Sequence, residues 1–128
     1  MNKRILITAS ILGIMSIILG AFGAHALKEL ISPEMQQTFE TGVRYQMYHA
    51  LFLLFIGTTS LVSDKTKNII YYLIVMGVIF FSGSIYGLAT NTLTAFNFKS
   101  IGFITPLGGL CFIIAWGILF VDLIKKNE

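Results

Sequence analysis

The sequence predicts an all-α fold, an integral membrane four-helix bundle, and three observations carry that reading. First, 55% of the 128 residues are hydrophobic and only 12% are charged, about half the charged share of a typical soluble domain, roughly 25%. Second, four apolar runs are each long enough to approach a bilayer core, near residues 5–24, 46–62, 69–89 and 103–124. Third, helix-start signals and short polar stretches separate these runs. One domain over residues 1–128 is expected, since two prolines and no Ser/Gly-rich run leave no linker. The net charge of +3 forms no basic stripe with interleaved aromatics, so no nucleic-acid partner is expected. The single Cys111 lies in an apolar run and has no intrachain partner, so it does not report a redox compartment.

Ile5 to Ala24 is uncharged after the basic start Lys3-Arg4. Its 20 residues would span roughly 30 Å as a helix, one hydrocarbon core. Ala24-His25-Ala26 has the small-x-small form of a signal-peptide cleavage site, but the apolar run exceeds the usual roughly 7–15 residues, which favours an uncleaved helix. Gly13, Gly20 and Gly23, with Ala9, Ser16 and Ala24, supply small-xxx-small spacings that let helices approach closely; packing inside the monomer is favoured over a dimer face. His25 to Ile31 reads as a polar loop.

Ser32-Pro33-Glu34 has an N-cap, a proline at the first helical position and an acid near the positive helix end. A helix from Pro33 to about Val62 is expected, either continuous or bent near Gly42. Its first part, residues 33–45, is amphipathic and expected at the interface; residues 46–62 are expected to cross. Ser63 to Asn68 reads as a tight polar turn, and Ile69 to Ala89 as a third span with Gly83 and Gly87 at GxxxG spacing. Thr90 to Ser100 reads as a loop. The last span starts at Thr105-Pro106, or at Ile101 with a kink at the proline. Gly108 and Gly109 thin its first turns for packing, and Trp116 lies deep in it.

Four spans put both termini on one side. With the termini inside, six Lys/Arg residues lie inside (Lys3, Arg4, Lys65, Lys67, Lys125, Lys126) and three outside (Lys28, Arg44, Lys99). The positive-inside rule therefore predicts cytoplasmic termini in the plasma membrane, or bacterial inner membrane.

The chemistry of the chain concentrates in Glu40 to His49. Glu40 and Arg44 stand at i,i+4, the spacing of an intrahelical ion pair. With Tyr45 and Tyr48 they share one broad face, and His49 sits at its rim. His25 would approach from the first helix end. These six residues form the candidate polar cluster, either a packing seam or a binding or proton-handling site. As a seam, the ion pair predicts that Glu40→Ala or Arg44→Ala destabilises far more than Glu34→Ala. His25 and His49 at matched depth would be axial ligands for haem or half of a zinc site. No further ligand set completes such a site, so no metal or other cofactor is expected. No GxSxG, HExxH or phosphate-binding glycine loop is present, so an enzyme is not expected.

Four motifs carry a family resemblance: Gly20-Ala-Phe-Gly-Ala-His25-Ala-Leu; Glu40-Thr-Gly-Val-Arg44-Tyr-Gln-Met-Tyr-His49-Ala-Leu; Phe81-Ser-Gly-Ser-Ile-Tyr86; and Thr105-Pro106-Leu-Gly-Gly109 with Ala115-Trp116. In this order they resemble the small multi-pass proteins grouped as domain of unknown function 423, which include animal transmembrane protein 256. The resemblance covers nearly the whole chain. It implies a four-span protein of the bacterial inner membrane and supplies no activity. The expected role is a structural or accessory bundle that binds lipid or a protein partner, with a second copy of the chain among the possible partners. The alternatives are an oligomeric small-solute or proton-coupled transporter, and a haem- or metal-binding protein through His25 and His49.

Overall fold

The computed structural model describes residues 2–94 and 102–125. The described elements are helical: α1 (Asn2–Ala24), a 3-10 turn (Leu27–Glu29), α2 (Pro33–Thr58), α3 (Asp64–Gly77), a π-helical segment (Val78–Gly83), α4 (Ser84–Ala89), a second 3-10 turn (Asn91–Leu93) and α5 (Ile104–Lys125). α3, the π segment and α4 form one continuous rod from Asp64 to Ala89. Three helical stretches, Asn2–Glu29, Asp64–Ala89 and Ile104–Lys125, are long and apolar enough to cross a membrane. α2 has the length but carries Glu34, Glu40 and Arg44 in its first half.

Contacts along the helices fix their register. A Cβ added at Gly57 would meet Leu6 and Ile5, one at Gly20 would meet Val43, and one at Gly23 would meet Phe39. α1 and α2 are therefore antiparallel, with residues 5–23 of α1 beside residues 39–57 of α2. A second antiparallel register runs from Thr66–Asp122 through Gly77–Phe112 and Phe81–Gly108 to Ser84–Thr105. α1 and α3 are parallel through Asn2–Lys67 and Thr8–Tyr71, and α2 and α5 through His49–Phe112 and Phe52–Trp116. The result is an up-down-up-down bundle. Its core holds Ile5, Leu53, Ile56, Ile70, Ile74, Phe112 and Ala115.

The structure corrects several boundaries. α2 is continuous through Gly42 and ends at Thr58, four residues before Val62. Thr58 turns its hydroxyl back onto the Leu54 and Phe55 carbonyls, and Thr59 adopts an extended conformation and caps the Leu61 N–H. Such hydroxyls offer the backbone partners other than the helix ladder. Ser63 to Asn68 is not a turn. Ser63 is an N-cap whose hydroxyl accepts from Thr66 N–H, and Asp64 opens α3 at the positive helix end. α5 starts at Ile104, so Pro106 falls in its first turn, where a missing N–H costs no hydrogen bond and causes no kink. The alternative start at Ile101, the cation Lys99 and the terminal Lys126 lie outside the described residues.

Close helix approach depends on particular glycines. A Cβ at Gly108 would fall onto the Phe81 backbone, one at Gly77 would lie 2.6 Å from the Phe112 ring, and one at Gly42 would lie 2.9 Å from Ile85 and Tyr86. Gly109 meets Phe81 only at ordinary contact distance. Gly13 is a correction: it is half-buried, but nothing lies within 4 Å of its added Cβ. The same holds for Gly83, exposed with only the Val78 carbonyl at 4.0 Å. Gly87 is half-buried in α4.

Candidate functional site

The residues from Glu40 to His49 divide between two faces of α2. On the inner face Gln46, 1% exposed, donates from Nε2 to the Leu12 carbonyl at 2.9 Å and accepts at Oε1 from Tyr86 O–H at 2.6 Å. Ser82 donates to the Gly42 carbonyl at 2.7 Å. These bonds tie α2 to α1 and to the π segment and α4, and they are the polar seam of the bundle. The buried Ser16 hydroxyl, on α1 near this seam, has no hydrogen-bond partner.

Glu40 and Arg44 do not form the predicted ion pair. Arg44 instead donates from Nη2 to Thr41 Oγ1 at 3.2 Å and stays exposed, while Glu40 is half-buried. Spacing alone permits the pair; the guanidinium reaches a closer hydroxyl one turn back.

His49 is buried, and both of its ring nitrogens are engaged. Trp116 Nε1 donates to Nε2 at 3.1 Å, and Nδ1 lies 2.7 Å from the Tyr45 carbonyl. An indole N–H can only donate, so Nε2 accepts and the proton sits on Nδ1, donated to Tyr45. The ring stacks on Phe112 at 3.7 Å with 9° between planes. His25 is exposed in the turn after α1. By the α1–α2 register it lies level with residues 37–38 of α2, about twelve residues and roughly 18 Å from His49. The two histidines are therefore not at matched depth, and the pairing on which the haem and zinc readings rested is not formed. Among the described residues no group of three His, Cys, Asp or Glu side chains converges.

On the outer face of α2 lies a groove of about 540 Å³. Thr41, Tyr45 and His49 line it from α2, Phe81 from the π segment, and Phe112 and Trp116 from α5. It runs two helical turns, about 12 Å, with Thr41 at one end and Trp116 at the other. Tyr45 and Trp116 are partly exposed, Tyr48 packs edge-on against Tyr45 at the rim, and Gly109 leaves room for a chain to approach Phe81. The π segment is what aims Phe81 into this space: the extra residue per turn re-registers one side chain without breaking the rod. The glycines of α5 that admit it were legible as packing residues; the π segment has no signal in the sequence.

Sequence reasoning also missed a polar cap at the opposite end. Lys67 is 3% exposed and donates to Asn2 Oδ1 at 3.1 Å, and Thr66 donates to Asp122 Oδ1 at 3.0 Å. These bonds lock α1, α3 and α5 together.

Comparison with known proteins agrees with this architecture. Residues 19–109 match the family model described as a protein of unknown function (DUF423). Similar proteins include the UPF0382 membrane protein SAB0533 of Staphylococcus aureus, 40% identical over 96% of this chain and 97% of that protein. The Bacillus subtilis UPF0382 membrane protein YwdK is 37% identical over 96% and 98% of the two chains. The Escherichia coli UPF0382 inner membrane protein YgdD is 32% identical over 99% and 94%. No solved structure matches. The coverage, the four ordered motifs and the helical bundle together show that this chain is a membrane protein of the DUF423 family.

Proposed function

We propose that the chain is a non-enzymatic binding bundle of the plasma membrane, with four crossings and cytoplasmic termini, and that it holds the acyl chain of a membrane amphiphile in the groove between α2, the π segment and α5. One observation carries the reading: a groove of about 540 Å³, walled mainly by aromatic rings, on a face that a membrane-embedded bundle turns to lipid. That volume lies within the range of small-molecule sites, about 300–1,000 Å³. The His49 nitrogens are occupied by Trp116 and Tyr45, so what the groove offers is mainly dispersion contact and shape. No nucleophile and base stand together there, which supports binding over catalysis.

Trp116 is the only tryptophan and it lines the groove. Its fluorescence in phosphatidylcholine vesicles carrying bromine on the acyl chains tests the reading. Bound chains should quench it strongly, and Gly109→Leu, which fills the groove, should weaken quenching. Ile113→Phe at the exposed rim gives a second variant that leaves the core untouched. Equal quenching in all three proteins would reduce the groove to ordinary lipid-facing surface.

A further inference from the structure

Arg44 does not line the groove but stands beside its Thr41 end, and acyl-chain binding does not use it. It is exposed, and its hydrogen bond goes to Thr41, the residue at the groove's end. Glu40, one turn away, does not neutralise it. The α1–α2 register sets its depth: Val43 lies against Gly20, so Arg44 is level with the apolar part of α1, about 7 Å from the end of that helix. A cation at this depth without a carboxylate partner is costly unless it snorkels to water or meets an anion. Its fork of N–H donors matches phosphate oxygens.

We propose that Arg44 makes the groove selective for a phospholipid with an anionic headgroup, the phosphate on the guanidinium and one acyl chain running past Tyr45 and Phe81 towards Trp116. The inference rests on the acyl-chain reading above and adds the headgroup to it. Charge complementarity sets the class: a cation without a carboxylate partner beside one end of an apolar groove favours a phosphate head of net negative charge over a zwitterionic one, whose own ammonium offsets its phosphate. Thr41 lines the groove and accepts from the guanidinium, so in this proposal Thr41 is the positioning residue.

The experiment uses the full chain in vesicles of phosphatidylcholine containing a minor fraction of brominated lipid, either phosphatidylglycerol or phosphatidylcholine with the same brominated chains. Wild type should reach half-maximal quenching of Trp116 at roughly fivefold lower phosphatidylglycerol than phosphatidylcholine, the factor expected for one cation near an anionic surface. Arg44→Gln should remove that preference, Arg44→Lys should keep part of it, and Lys28→Gln, an exposed cation in the turn after α1, should leave it intact. Equal quenching by the two lipids in wild type, or a preference that survives Arg44→Gln, overturns the headgroup inference. Sensitivity to Gly109→Leu in the same samples shows separately whether the groove holds a chain. Protection of Trp116 from both lipids, with a dimer mass on native mass spectrometry, would put a second copy in the groove and overturn both.

Discussion

At the residue scale, stability follows hydrogen bonds rather than charges. Gln46 is fully buried between two helices, and its amide oxygen depends on Tyr86 O–H. Tyr86→Phe should lower stability by about 1 kcal/mol, within the range for interhelical bonds in membrane proteins and for a stranded acceptor. Thermal unfolding in detergent reads this. Arg44→Ala, with an exposed side chain bonded only to a neighbouring hydroxyl, should shift stability by no more than roughly 0.5 kcal/mol. This reverses the ranking that the i,i+4 spacing of Glu40 and Arg44 implies. That reversal shows where sequence reading stopped: spacing places two side chains on one face but does not choose between competing partners, and Thr41 was nearer. Gln46 was legible as part of the polar stretch, but not as its buried member, because burial depends on which face of α2 meets α1. His49 was legible as a polar residue in an apolar run, but its partner is 67 positions away. Trp116→Phe removes the donor to His49 Nε2. Nitrogen NMR of labelled protein should show the Nδ1–H tautomer in both proteins, because the Tyr45 carbonyl still holds that proton, with the Nε2 resonance shifted in the variant by loss of its donor.

At the element scale, the helices were legible wherever their ends carry local chemistry. Ser32-Pro33 marks α2, and the same N-cap logic at Ser63-Asp64 marks α3 once a charged stretch is read as a first turn rather than a loop. The π segment was not legible, because it is imposed by contact between rods. α5 lies so close at Gly108 that its neighbour's backbone occupies the place of a Cβ, and Ser84 bonds the Phe80 and Phe81 carbonyls. Gly108→Ala should therefore force the rods apart and destabilise by about 1–3 kcal/mol or more. Gly13→Ala is the matched control in α1. Nothing lies near its Cβ, so it should be neutral or stabilise by about 0.5–1 kcal/mol through helix propensity. A shared loss at both positions, measured by thermal unfolding, would mean that Gly13 packs against something outside the monomer.

At the scale of the whole molecule, the decisive quantity is the path of α2. Its composition alone does not mark it as a crossing helix. Its register supports the proposed fourth crossing: residues 39–57 lie beside residues 5–23 of α1, so a crossing α1 would carry α2 with it. In the polar first half Gln36 donates to the Gly23 carbonyl, and just beyond it Gln46 donates to Leu12, so two of its amides are satisfied on the helix it follows. In the orientation proposed from the charge bias, the turn after α1 lies outside and the α2–α3 turn inside. Single cysteines in a Cys111→Ser background test both statements together. Ala26→Cys should react with a membrane-impermeant maleimide on intact cells, and Ser60→Cys only after permeabilisation, both positions being exposed. Labelling of both from outside would place α2 along the surface and leave three crossings. A swapped pattern would keep four crossings and invert the orientation, which would put the Arg44 end of the groove in the cytoplasmic leaflet.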